Sequence, residues 1–165
     1  MSASLDSLDF AQIRDIVLRV EAFGGELSPQ ALAARQACQD VAYGIFALTD
    51  FGRAAASLDL YSERIVMDLD GQRFDRAGRI ARSRGREANT ARRTRHAISN
   101  SVFRMVDERT AYALSLVVIY HEDDCTRDGV PPLAVADCAD RFELEADGRW
   151  RVTYRCLKTV AGAAH

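Results

Sequence analysis

His96 lies in the run Arg95-His96-Ala97-Ile98-Ser99-Asn100, which reads as the opening of a β-strand. Histidine is the one side chain whose ordinary pKa lies near neutrality, so a fixed His is the simplest general base a protein can offer. Asn100, four residues on, shares a face with His96 on an unbulged strand and could donate a hydrogen bond to a substrate oxygen. A lone His on a strand is more often a packed core residue, so the choice rests on its surroundings.

The remaining reactive residue types form weaker patterns. His121-Glu122-Asp123-Asp124-Cys125 holds metal-ligand types, but successive strand residues alternate faces and cannot converge on an ion unless a loop bends around it. It reads as a solvated strand-end loop, and His165 is terminal. Cys38, Cys125, Cys138 and Cys156 show no C-x-x-C spacing and read as free thiols. There is no phosphate-binding glycine loop, no dinucleotide fingerprint and no serine nucleophile elbow, so neither a metal nor a cofactor is expected. Nine arginines fall from Arg73 to Arg95, with Phe74 the one aromatic among them. Nucleic-acid binding calls for aromatic interleaving or a recognised module. The stretch reads instead as a surface segment with local counter-ions, the alternative being an edge for an anionic substrate or a partner.

The elements that must position these residues follow from periodicity. Phe10, Ile13, Val17 and Val20 predict a helix over 9–23, stopped by Gly24-Gly25. Ser28-Pro29 supplies an N-cap and a first-turn proline for a helix over 29–49, with the stripe Ala34, Ala37, Cys38, Val41, Ile45 and Leu48. Residues 51–60 read as a short third helix. A strand over 64–69 meets a hairpin signal in Asp70-Gly71. Residues 75–94 are polar, broken at Gly78 and Gly85, with room for one short helix after Gly85. Strands over 95–106, 110–121, 133–146 and 149–160 follow, and alternation places Trp150 in the core between outward Arg149 and Arg151. Helices first and an antiparallel meander afterwards is an α+β order, with the helices on one face of the sheet.

At 165 residues, 48% apolar and 28% charged, the chain has the balance of one ordinary globular domain. A formal charge of −2 argues against bulk attraction to nucleic acid or an anionic membrane. No apolar run has the length of a membrane span, and Met1-Ser2-Ala3-Ser4-Leu5-Asp6 lacks a signal-peptide pattern, so a cytoplasmic location is expected.

This order, taken with particular residues, resembles the SnoaL-like branch of the NTF2-like superfamily, with its scytalone dehydratase-like and dehydrochlorinase-like members. The matching pieces are Thr49-Asp50-Phe51, Gly85-Arg86-Glu87-Ala88, Arg95-His96 with Asn100, Ala111 and Ala113, Asp140, and Gly148-Arg149-Trp150-Arg151-Val152 with Arg155. The resemblance spans about 29–158, which leaves residues 1–28 as an N-terminal helical extension and 29–165 as the domain. It implies a cone: a curved antiparallel sheet wrapped around helices, with an apolar pocket open at one end.

The resemblance also implies a chemistry. In dehydratase-like members an Asp at the end of the long helix hydrogen-bonds a His on the first long strand, and these positions fall on Asp50 and His96. The His takes a proton from carbon while the Asp fixes its tautomer. Tyr43, two helical turns before Asp50, is the candidate to polarise the substrate, with Asn100 and Asp140 as candidate substrate-binding residues. By periodicity alone, Asp50 and Tyr43 lie opposite the apolar stripe, which is also the pattern of a solvated face. Cys138 and Ala136 replace a Tyr and a Gly common in relatives, so no relative's substrate transfers. The expected function is cofactor-independent proton abstraction, with elimination or isomerisation, on a small, largely apolar molecule in a homodimer or homotrimer. The alternative is a non-catalytic ligand-binding module or the β subunit of a ring-hydroxylating dioxygenase.

Overall fold

The structure is a computed structural model that describes residues 7–25, 27–122 and 132–162. The acidic residues 123 and 124, Cys125 and His165 lie outside the described residues.

Helix α1 spans Phe10–Val17 and opens on a reciprocal cap: Asp9 accepts the Gln12 N–H at 2.8 Å, and the Gln12 side chain accepts the Asp9 N–H at 3.0 Å. It stops short of the expected residue 23, and Val20, the last member of the proposed stripe, is exposed in a separate 3₁₀ turn. Helix α2, Pro29–Asp50, begins as expected, with the Ser28 hydroxyl accepting the Ala31 N–H at 3.1 Å. Gly52, at φ +74°, turns the chain out of it into the short third helix, which is of 3₁₀ type and spans Ala54–Leu60, starting three residues later than expected.

Six strands form one sheet: β1 Tyr61–Leu69, β2 Gln72–Phe74, β3 Arg93–Asp107, β4 Thr110–Glu122, β5 Pro132–Leu144 and β6 Trp150–Gly162. Their order is β2-β1-β6-β5-β4-β3. The Asp70-Gly71 hairpin forms as read, both residues at positive φ, and the Asp70 carboxylate also accepts the Thr159 N–H at 2.7 Å. The expected antiparallel sheet is in fact mixed, because β1 runs parallel to β6. These two strands are separated in the chain by a helix and four intervening strands, so no hairpin dictates their direction. The α+β class holds: helices precede a curved, unclosed sheet of the NTF2-like cone type.

Successive residues of β5 divide the core. Cys138 faces α2 with Phe46, Met67 and Val117, whereas Ala139 faces the other way with Leu8, Ile13, Val17 and Tyr154. The helices therefore do not share one face, since α1 covers the side opposite α2. Trp150 is partly buried against the main core, as alternation required.

The polar stretch 75–94 departs most from expectation. Helix α3 runs Arg76–Ala88, straight through both glycines. Asp75 caps it by accepting the Gly78 N–H at 2.9 Å. Gly78 is fixed by packing, since a Cβ there would lie 3.0 Å from the Phe74 Cβ. At Gly85 nothing lies within 4 Å of such a Cβ, so this glycine weakens the helix without breaking it.

Candidate active site

Three consecutive β3 residues grip the C-terminal end of α2. The Arg95 guanidinium donates to the Asp50 carbonyl at 2.8 Å, satisfying a carbonyl the helix leaves open and placing a cation at its negative end. The His96 backbone N–H donates to Asp50 Oδ2 at 2.8 Å, and His96 Nδ1 lies 2.6 Å from Asp50 Oδ1. The Thr94 side chain adds a further hydrogen bond to the same carboxylate. Both side chains of the Asp50–His96 pair are largely shielded, with 7% and 12% of their surfaces exposed.

Burial alone would raise the Asp50 pKa. The hydrogen bonds from His96 and Thr94, with attraction to the His96 ring, outweigh it and bring the carboxyl below its ordinary value of 3.8. Asp50 is therefore ionised at neutral pH and has no proton to give, so Nδ1 carries the shared hydrogen. In the neutral ring that leaves the lone pair on Nε2.

His96 lines a cavity of about 360 Å³, within the size range of small-ligand sites. One side of it is apolar, formed by Ile45, Phe46, Met67, Leu69, Ile119 and Leu157. The Phe46 ring lies 4.7 Å from the His96 ring and limits its rotation. Arginines also line the cavity: Arg79, Arg82 and Arg86 of α3 with Arg92, and Arg155 of β6, whose guanidinium lies 4.7 Å from the Phe46 ring centroid. Tyr61 at the start of β1 also lines the cavity, with the Arg79 guanidinium 4.7 Å from its ring centroid.

The other residues singled out from sequence sit elsewhere. Tyr43 is 41% exposed and outside the cavity lining: α2 turns this face to solvent before its last turn meets β3. Asn100 is exposed at a β-bulge, with φ +48°. Between the pairs Ser99–Leu116 and Val102–Leu114, β3 carries one residue more than β4, and the inward parity switches. Thr94, His96 and Ile98 point inward before the bulge, Phe103 and Met105 after it, and the reading of Asn100 beside His96 on an unbulged strand fails for that reason. Asp140 is buried outside the lining, accepting two hydrogen bonds from Arg155 at 2.6 and 2.7 Å. Its structural contact is with Arg155, which reaches the cavity in its place.

Sequence reasoning missed Tyr61, which it left outside the first strand, and the inward turn of the arginines. The arginine spacing 79, 82, 86 on one helical face was the available signal, obscured by reading Gly78 and Gly85 as breaks. Among the described residues no group of three or more His, Cys, Asp or Glu side chains is arranged to hold a metal ion. Among them, too, no helix is long and apolar enough to cross a membrane.

Residues 30–156 match the SnoaL-like domain family model, and the chain belongs to that family. No curated protein matches the sequence. Among solved structures, a proposed scytalone dehydratase from Novosphingobium aromaticivorans superposes with a TM-score of 0.71 at 19% identity, covering 84% of this chain and 92% of its own. The β subunit of a proposed aromatic-ring-hydroxylating dioxygenase from the same organism gives 0.67 at 18% identity, covering 81% and 93%. A protein of unknown function from Mycobacterium tuberculosis gives 0.68 at 22% identity, covering 82% and 78%. At these identities the likeness is one of fold.

Proposed function

We propose that the protein is a cofactor-independent lyase or isomerase in which His96 removes a proton from carbon. The observation that carries this reading is the 2.6 Å contact between Asp50 Oδ1 and His96 Nδ1, on a ring that lines the cavity. Asp50 holds the proton on Nδ1, so Nε2 is the base. It takes a proton from a carbon beside a carbonyl, and the C–H electron pair passes into an enolate. In elimination the enolate re-forms its carbonyl, a C=C bond forms, and the C–O bond at the β-carbon breaks, with the imidazolium returning its proton to the departing hydroxyl as water. In isomerisation the same proton returns to a different carbon. Asp50 stabilises the imidazolium between the two transfers.

The fold alone also accommodates a non-catalytic subunit, and the experiment separates the two readings. The full-length chain is incubated in D₂O with a panel of aryl ketones and aryl keto acids bearing enolisable hydrogens, and deuterium incorporation is followed by mass spectrometry. Incorporation by the wild type, reduced on the order of 10²–10⁴-fold in His96→Gln, supports proton abstraction by His96. Equal incorporation in both proteins, or none above buffer across the panel, counts against it.

A further inference from the structure

We infer that the ligand of this cavity is a small organic anion, its acidic group held by the arginines of α3 and its apolar body lying along the sheet. This deepens the catalytic reading and rests on the same cavity, but its evidence is separate. Arg79, Arg82 and Arg86 are three and four residues apart, so they form one stripe of the helix, and all three line the cavity. A helix carrying arginines for solubility turns them all to bulk water; α3 sets this stripe along the rim of an open cavity, with Arg79 and Arg86 half-buried and Arg82 exposed.

Among the described residues, five arginines line the cavity and no Asp or Glu does. Arg155 is neutralised from behind by Asp140. Arg79 meets neutral groups, donating to the Ser57 hydroxyl at 3.2 Å and lying over the Tyr61 ring. Arg82 lies 5.1 Å from the Phe74 ring centroid, and its pKa is lowered by burial and then by the charges of Arg79 and Arg92. Such a cluster favours an anion, because neighbouring like charges repel one another less once one arrives between them.

Contacts also tie this cluster to the dyad. Arg86 donates to the Thr94 hydroxyl at 3.1 Å, and Thr94 stands two residues before His96 on the same strand face, a separation of about 7 Å. An acid of modest size can thus reach the guanidinium groups with one end and present carbon to Nε2 with the other. Guanidinium groups so placed would also favour the negative charge that develops on an enolate. The expectation of a largely apolar molecule then describes the body of the ligand and omits its head.

The test is calorimetric titration of the full chain with 2-naphthoate, 2-naphthyl phosphate and the neutral 2-naphthamide. At least one anion is expected to bind ten times more tightly than the amide, and which anion does so separates carboxylate from phosphate recognition. Raising the salt concentration should weaken the anion and spare the amide. Arg79→Gln/Arg82→Gln should cost the anion at least tenfold and change the amide less than twofold. Should that double variant fail to fold, Arg82→Gln alone, at a solvent-exposed position, should weaken the anion by threefold or more. Equal binding of amide and anions, anion affinity unchanged in the arginine variants, or no anion binding below about 10 mM would overturn the inference. His96→Gln should retain anion binding, so the anion site stands or falls independently of proton abstraction.

Discussion

Asp50 accepts two hydrogen bonds from a single residue, His96: one from the ring at Nδ1, 2.6 Å away, and one from the backbone N–H at 2.8 Å. An asparagine cannot replace both, because its NH₂ must face either the backbone N–H or the ring. Facing the ring, it donates to Nδ1 and moves the proton to Nε2, which removes the base. Asp50→Asn is therefore expected to lower deuterium exchange on the order of 10²–10⁴-fold, close to the effect of His96→Gln, and the double variant should fall little further. Exchange rates of the three variants on one substrate check this.

The same carboxylate makes stability depend on pH. Its folded-state pKa lies below the ordinary 3.8, so its contribution is present above the unfolded-state value and is lost as pH falls through the folded value. Urea denaturation should show the wild type more stable than Asp50→Asn at pH 7, with the gap closing below about pH 4. A gap that stays constant from pH 7 to pH 3 would contradict the assignment.

Arg155 is 1% exposed and Asp140 4%, and each is the other's charge partner. Removing one partner of such a pair strands the other charge in the core. Asp140→Asn is expected to destabilise the chain by roughly 3–5 kcal/mol in denaturant titration. A loss below about 1 kcal/mol would mean that the guanidinium finds water or another acceptor.

Gly85 is the converse case. It sits inside α3 with open space where a Cβ would stand. Gly85→Ala is expected to stabilise the protein by about 0.5–1 kcal/mol, seen as a higher Tm. Gly78→Ala, whose Cβ would press on Phe74, should not stabilise.

The elements that bring Asp50 to His96 were legible in the sequence because the chain announces them itself. The Ser28-Pro29 cap and the apolar stripe define α2 down to Asp50, and the β-rich run defines the strand that carries His96. What relates them across 46 positions came from family resemblance, since periodicity put Asp50 on the same face as solvent-exposed Tyr43. The bulge at Asn100 was hard to read because asparagine tolerates the left-handed region but also sits in regular strands and turns, so one Asn does not place a bulge. The arginine wall was hidden for a different reason. Two glycines read as breaks, and the outer surface and the cavity demand the same residue type of a helix, so only packing shows which way a charged stripe points.

In the proposed reaction Asp50 keeps the proton of His96 on Nδ1 and leaves Nε2 as base. Long-range ¹H–¹⁵N correlation spectra of the imidazole, recorded at pH 8.5 on wild type and Asp50→Asn, test it without a substrate. The expected result is a wild-type ring protonated at Nδ1, with Nε2 showing the shift of an unprotonated nitrogen, and loss of that preference in Asp50→Asn. A wild-type ring protonated at Nε2, or one tautomer pattern in both proteins, would contradict it.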